Sequence, residues 1–511
     1  MGGCLNQHQY SLLVRRLEVD ATVNPGTYRA KTFLISNAAY VVLFGMLATI
    51  ALLIYFGIHT AYTKNRASDL IRVGLFGVVM ALIFFVVLRM FFMRLAPPEG
   101  RYLSREEAPA LFNVLDKIRK KLNGPPFHHV LVDDDFNAAI YQHPRWGLFG
   151  GHTNYLILGL PYLLGVSPKE MLATVAHEYG HVCGNHGKAG AWIYRQRQTF
   201  LALYDKVESG ADVYWVYKSI AFMLSAFVPY YNAYTFVLSR EDEYAADRTA
   251  TELVGSKTNA QGLVRGALLG RWFYKEFWSK LYKQADSREE PAFLPYAAMR
   301  SAFKASYSEW ATKEHLDAAW RKQSGLDDTH PALRYRVEAT GEKAELPPCV
   351  ENTAAEALLG DTAKKLIAEF DRNWWEREKT SWQAQHQYVI SSKARLQELS
   401  GLPLDSLKLQ DLHEYALLSS EFESPQQAKA LLERLLRQPG GPFPKAEYHY
   451  GYILLAEDNE RGLDHLAVAV NDRHMQESAA HVGYDYLLKK YGEERAQEWW
   501  DRIVGQVADE A

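Results

Sequence analysis

The segment Val175-Ala176-His177-Glu178-Tyr179-Gly180-His181 decides how the rest of the chain is read. Its pattern is His-Glu-x-x-His. On an α-helix, His177 and His181 stand four residues apart on one face, where two imidazoles can hold one Zn²⁺. Glu178 then lies beside the metal and can serve as general base on a water polarised there. The flanks predict such a helix. Ser167-Pro168-Lys169-Glu170 is a capping box with proline at the first helical position. Met171, Leu172, Val175, Tyr179 and Val182 recur at helical spacing and give a buried side, and Gly184 offers a stop.

Upstream, His129-Val130-Leu131-Val132 and Tyr155-Leu156-Ile157-Leu158 read as short strands, and helical pattern covers residues 105–122. The order of helix, strands and metal helix is an α+β pattern. Further upstream, Phe33 to Ile58 carries no charge, and residues 71–93 are interrupted only by Arg72 and Arg89 near the ends. Both runs are long enough to span a bilayer. A polar tail over 1–32, a two-span hairpin over 33–96 and an exit at Pro97-Pro98-Glu99-Gly100 follow. Arg15, Arg16, Arg29 and Lys31 before the hairpin, with Arg94, Arg101 and Arg105 after it, outnumber Lys64 and Arg66 in its loop. The positive-inside rule therefore puts the body on the cytoplasmic side of an integral membrane protein with two spans. The three cysteines, Cys4, Cys183 and Cys349, form no CxxC pair, which excludes a disulfide framework and agrees with a reducing compartment. A net charge of −3 implies no nucleic-acid partner.

Downstream, Ser219 to Ser239 is a third uncharged run. Glu243 and Asp247 follow, four residues apart on one helical face, and Thr329-His330-Pro331 precedes Arg336. From about residue 350 the chain is polar and helical, with a period of 34: Ala416, Tyr450 and Tyr484 align, as do Leu418, Tyr452 and Tyr486, Ala428, Gly462 and Ala496, Leu432, Leu466 and Trp500, and Leu436, Val470 and Val504. That is the period of tetratricopeptide helix pairs, whose stacked surfaces bind protein partners.

Taken together, residues 100–345 resemble the zinc metallopeptidase family 48 of the heat-shock membrane protease HtpX and the CAAX prenyl endopeptidase. The resemblance rests on His177-Glu178-x-x-His181, Glu243-x-x-Ala-Asp247, Thr329-His330-Pro331 with Arg336, and Asn137-Ala138, in that family's order along the chain. It implies a gluzincin with Glu243 as third zinc ligand and Asp247 holding a zinc histidine by a hydrogen bond. His330 and Arg336 would lie near the substrate carbonyl, with Asn137 and Ala138 bordering an edge strand that pairs with substrate. It also implies work in membrane or envelope protein quality control. Only two clear spans are present, unlike the many that enclose a chamber in the prenyl endopeptidase.

Gly184 and His186 nearly match the metzincin pattern, but its third histidine belongs at 187, which is glycine. Glu243 needs no such turn, so His186 is expected to be a packing or hydrogen-bonding residue. Because His181 and Glu243 must meet one ion, the run 219–239 should not cross the bilayer alone. Pro229 is expected to break it into two shorter helices.

The sequence thus predicts a membrane-anchored α+β protein in four parts: the tail, the hairpin, a mainly helical zincin-like protease domain with a small sheet over 97–349, and helical repeats over 350–511. It predicts a zinc endopeptidase with one Zn²⁺ per chain, acting on protein or peptide substrates, touching the lipid bilayer and offering its repeats to a protein partner. Two readings compete with it, an inactive scaffold built on the repeats and a repeat adaptor with a structural zinc site. The complete ligand-and-base set argues against the first, and the lack of a fourth protein ligand against the second.

Overall fold

The computed structural model describes residues 7–64, 96–146, 149–183, 215–322 and 330–508, with scattered positions between 71 and 85. The chain divides into two compact units, Met1–Leu281 with Phe293–Arg377, and Tyr282–Ala292 with Glu378–Ala511. The expected boundary at 349/350 is displaced for a physical reason. Asp371 accepts the backbone N–H groups of Tyr296 (2.8 Å) and Ala297 (3.0 Å) at the start of a helix over Pro295–Ala305, and Trp374 is buried. These contacts hold the chain as far as Arg377 to the first unit.

The first unit begins with α1 (Gln7–Val23) and α2 (Pro25–Lys64). A tail was expected for residues 1–32, but Val14, Leu17, Ala21 and Tyr28 are buried against Ala233, Phe236, Val237 and Leu238. Among the described residues no helix is long and apolar enough to cross a membrane. The expected second span, 71–93, lies largely outside them.

A four-stranded sheet follows, in the order β1 (Arg101–Tyr102), β2 (His129–Asp133), β4 (Phe149–Gly159), β3 (Ala138–Trp146). β2 and β4 are parallel, and the other pairs are antiparallel, with Ala138 opposite Leu158. One face of the sheet is buried throughout, built from Val130, Val132, Ala138, Ile140, Leu156 and Leu158, and on the other face Leu131 and Tyr155 are covered as well. Among the described residues, this order leaves β3 on an edge, beside the helix that carries His177 and His181. Helix α3 (Pro109–Leu122) precedes the sheet's second strand, and α4 (Leu160–Gly165) leads out of its last.

Helix α5 (Pro168–Cys183) carries the His-Glu-x-x-His segment. Its capping box is closed: Ser167 N–H donates to Glu170 Oε2 at 2.8 Å, and Glu170 N–H to Ser167 Oγ at 3.3 Å. Met171, Val175, Tyr179 and Val182 are buried as the spacing predicts, and Leu172 is half-buried. Gly184 and His186 fall outside the described residues.

Helix α6 (Trp215–Val254) corrects one expectation, because the run through Pro229 is a single 40-residue helix, not two short ones. Proline removes one ladder hydrogen bond, but burial of the helix on α1 and α5 outweighs that loss. α5 crosses α6 at Gly180, where an added Cβ would sit 3.1 Å from Ala246 Cα and 3.3 Å from Thr249. Helix α7 (Ser256–Trp272) packs on α5, and a short helix over Leu333–Ala339 packs on α6 and α7.

In the second unit, helices over Leu409–Phe422, Pro425–Leu436, Pro444–Ala456, Gly462–Ala469, Gln476–Tyr491 and Glu493–Ala508 each pack on the next. Two of the periodic columns are mainly core: Ala428, Gly462 and Ala496 are buried, as are Leu432 and Leu466. Gly451 and Gly462 let two helices touch, since a Cβ on Gly451 would lie 2.8 Å from the Gly462 carbonyl oxygen.

Candidate metal centre and cleft

Two helices build the centre. α5 presents His177 and His181 from successive turns, and α6 brings Glu243 across the Gly180 crossing. His177 Nε2 and His181 Nε2 are 3.3 Å apart. Glu243 Oε2 lies 3.4 Å from His177 Nε2, and its Oε1 lies 3.3 Å from His181 Nε2. A tetrahedral Zn²⁺ with bonds of about 2.0–2.1 Å needs ligand atoms about 3.3–3.4 Å apart. The spacing of the two imidazole nitrogens fits that ion, and the carboxylate of Glu243, with an oxygen near each of them, completes a suitable nitrogen-and-carboxylate donor set. All three residues have nearly buried side chains, so their mutual approach in the absence of a cation would be poorly solvated.

Asp247, one turn beyond Glu243, receives the other edge of His177. His177 Nδ1 and Asp247 Oδ1 are 2.9 Å apart, which leaves Nε2 for the metal. Arg336 grips the same carboxylate with two donors, Nε to Oδ2 at 2.9 Å and Nη2 to Oδ1 at 2.8 Å. Its charge thus meets Asp247, and its side chain is largely enclosed. His330 Nδ1 donates to Glu243 Oε2 at 2.6 Å while much of its ring stays exposed.

These contacts set the electrostatics. Burial would raise the Glu243 carboxyl, but hydrogen bonds from His177, His181 and His330 drive it well below the usual carboxylate range. Burial also opposes ionisation of Asp247, and Arg336 overrides it, holding the group at about 2. Burial and the Arg336 charge disfavour protonation of His177, while Asp247 and Glu243 outweigh both and raise it to about 9.

A cleft of about 330 Å³ opens on the centre, and its lining includes His177, Glu178, His330, Arg336, Asn137 and Ala138. The structure thus gathers residues separated by up to about 200 positions in sequence into one place. The remaining walls were not anticipated: Phe136, Tyr162 and Thr174, and a face of α7 bearing Gly262 and Gly266. Sequence reading also missed the second role of Glu170. Arg265 Nε donates to its Oε1 at 2.9 Å, an ion pair buried on both sides that ties α7 to the cap of α5. Asn259 Nδ2 donates to the Asp247 carbonyl at 3.1 Å and steadies the same corner. The signals for the α7 face were present in Gly262 and Gly266, four residues apart inside a helical pattern.

Comparison with known proteins agrees with this geometry. Residues 123–344 match the model of peptidase family M48, a span that holds all three candidate ligands, Glu178, Asp247, His330 and Arg336. No curated protein and no solved structure matches the chain. Over residues 123–344, the chain is similar to peptidase family M48.

Proposed function

We propose that this chain is a zinc endopeptidase that hydrolyses peptide bonds in protein substrates, anchored in a membrane and working in membrane or envelope protein quality control. One observation carries the catalytic reading: ligand atoms of His177, His181 and Glu243 converge within 4.8 Å of one another, with Glu178 beside them in an open cleft. Bound zinc would polarise a peptide carbonyl and lower the pKa of a water. Glu178 takes that water's proton and delivers it to the leaving amine. His330, on the rim beside Glu243, donates to the developing oxyanion. Asp247, braced by Arg336, fixes the ring of His177. Asn137 and Ala138 lie at the start of edge strand β3, whose free side can pair with an extended substrate.

Anchoring is proposed from the uncharged run Phe33–Ile58, on which Val41, Phe44, Leu52, Phe56 and Ile58 are exposed. The charge count proposes a cytoplasmic body. The C-terminal helices are proposed to be tetratricopeptide-like and to hold a substrate or partner, on the strength of the 34-residue period and the buried small-residue column.

Glu178→Gln tests the mechanism. The variant should bind one zinc per chain and lose peptide hydrolysis by a factor of about 10² or more. Wild-type turnover by this variant would remove Glu178 as the base. An inactive scaffold predicts no zinc-dependent cleavage by the unaltered chain.

A further inference from the structure

One wall of the cleft is a single face of α7, where Asn259, Gly262, Leu263, Gly266 and Ala267 recur at helical spacing. Glycine inside a helix is costly relative to alanine; close approach to Glu170 of α5 limits position 262 to a small residue, but packing does not explain Gly266. A Cβ on Gly262 would meet Glu170 at an ordinary 3.6 Å, and a Cβ on Gly266 would meet nothing within 4 Å. The space above Gly266 is the cleft itself. Phe136, Tyr162, Ala173 and Leu333 supply apolar wall elsewhere. The polar groups among these walls are already engaged. Tyr162 Oη and Thr174 Oγ1 are 2.6 Å apart, and Asn259 Nδ2 donates to the Asp247 carbonyl and to Thr251 Oγ1, each at 3.1 Å. The ionisable groups of the cleft, Glu178, His330 and Arg336, belong to the metal centre.

We infer that this part of the cleft is a subsite for one large apolar side chain flanking the scissile bond, and that Gly266 determines its size. A charged side chain entering it would lose its water and find no partner on these walls, whereas an aliphatic or aromatic one gains burial. Gly266 keeps the wall low enough for a long side chain to lie across α7. The inference rests on the peptidase reading above and names the preference of that same site.

The test is cleavage-site profiling of a random peptide library by the zinc-loaded full-length chain, compared with Gly266→Leu and the milder Gly266→Ala. The unaltered chain should show Leu, Met, Phe or Tyr enriched at one position next to the cut. Gly266→Leu should move the preference at that position to Ala or Ser, changing the relative kcat/KM of a matched Leu/Ala peptide pair on the order of tenfold or more. Gly266→Ala should shift it the same way by less, and both replacements raise helix propensity, so folding is favoured. Zinc content and circular dichroism establish that each variant is intact. Peptide binding to Glu178→Gln, with and without Gly266→Leu, reads the same subsite without turnover. An unchanged preference at every position in intact, active variants overturns the subsite assignment and leaves the peptidase reading standing. Absence of cleavage by the unaltered zinc-loaded chain overturns both.

Discussion

His177 answers to more constraints than any other residue of the centre. Its Nε2 faces His181 and Glu243, its Nδ1 faces Asp247, and it is buried. Those constraints make a pH prediction. In the metal-free protein His177 is raised from 6.5 to about 9, so the stability it contributes is complete below pH 6.5 and is lost as pH rises through about 9. Asp247 is depressed from 3.8 to about 2, so its contribution is present above pH 3.8 and is lost as pH falls through about 2. The metal-free centre is therefore steadiest between pH 3.8 and 6.5. Zinc must displace the His177 proton, so its affinity should climb from pH 6.5 towards 9. The melting temperature gained on adding zinc should widen over that interval. A gain that stays constant across it would show that His177 is not the proton the metal displaces. The sequence alone made both histidines and Glu178 legible, because a four-residue spacing on one helix fixes relative position without any tertiary knowledge. Which histidine Asp247 would hold, and that Arg336 would spend its charge on Asp247, depended on how α5, α6 and the helix over Leu333–Ala339 cross.

At the scale of elements, the α5 cap and the short strands were readable because their signals are local: a Ser-Pro-x-Glu start and runs of branched apolar residues. The continuity of α6 was not, since the local cost of Pro229 is visible in the sequence and the compensating burial against α1 is not. The same holds for α1, whose weakly amphipathic sequence gave no warning that Val14, Leu17 and Ala21 would be covered. Glu170 illustrates a residue whose local reading was right and incomplete. It caps α5 and also neutralises buried Arg265 of α7. Arg265→Met should leave Glu170 buried without its partner and destabilise the fold by about 3–5 kcal/mol. The double replacement Arg265→Met with Glu170→Gln should recover much of that loss. Denaturant unfolding checks this, and a loss below about 1 kcal/mol for the single variant would mean the pair contributes no more than a surface ion pair.

Over the whole molecule, the chain divides into two compact units, and the place to cut follows from where the first one ends, at Arg377. A chain ending at Arg377 should still bind zinc and cleave a short unstructured peptide. One ending at residue 350 loses Asp371, which caps the helix at Tyr296, and buried Trp374, so it should unfold at lower denaturant. Equal stability of the two truncated chains would return the boundary to its expected position. The metal centre requires that a helix beginning 32 residues beyond the His-Glu-x-x-His helix supply the third ligand. Zinc content of the full-length chain, measured beside Glu243→Ala and His186→Ala after dialysis against a weak chelator, tests it directly. The account predicts one zinc per chain in the unaltered protein and in His186→Ala, with little in Glu243→Ala. Retention of zinc by Glu243→Ala together with its loss from His186→Ala would contradict it.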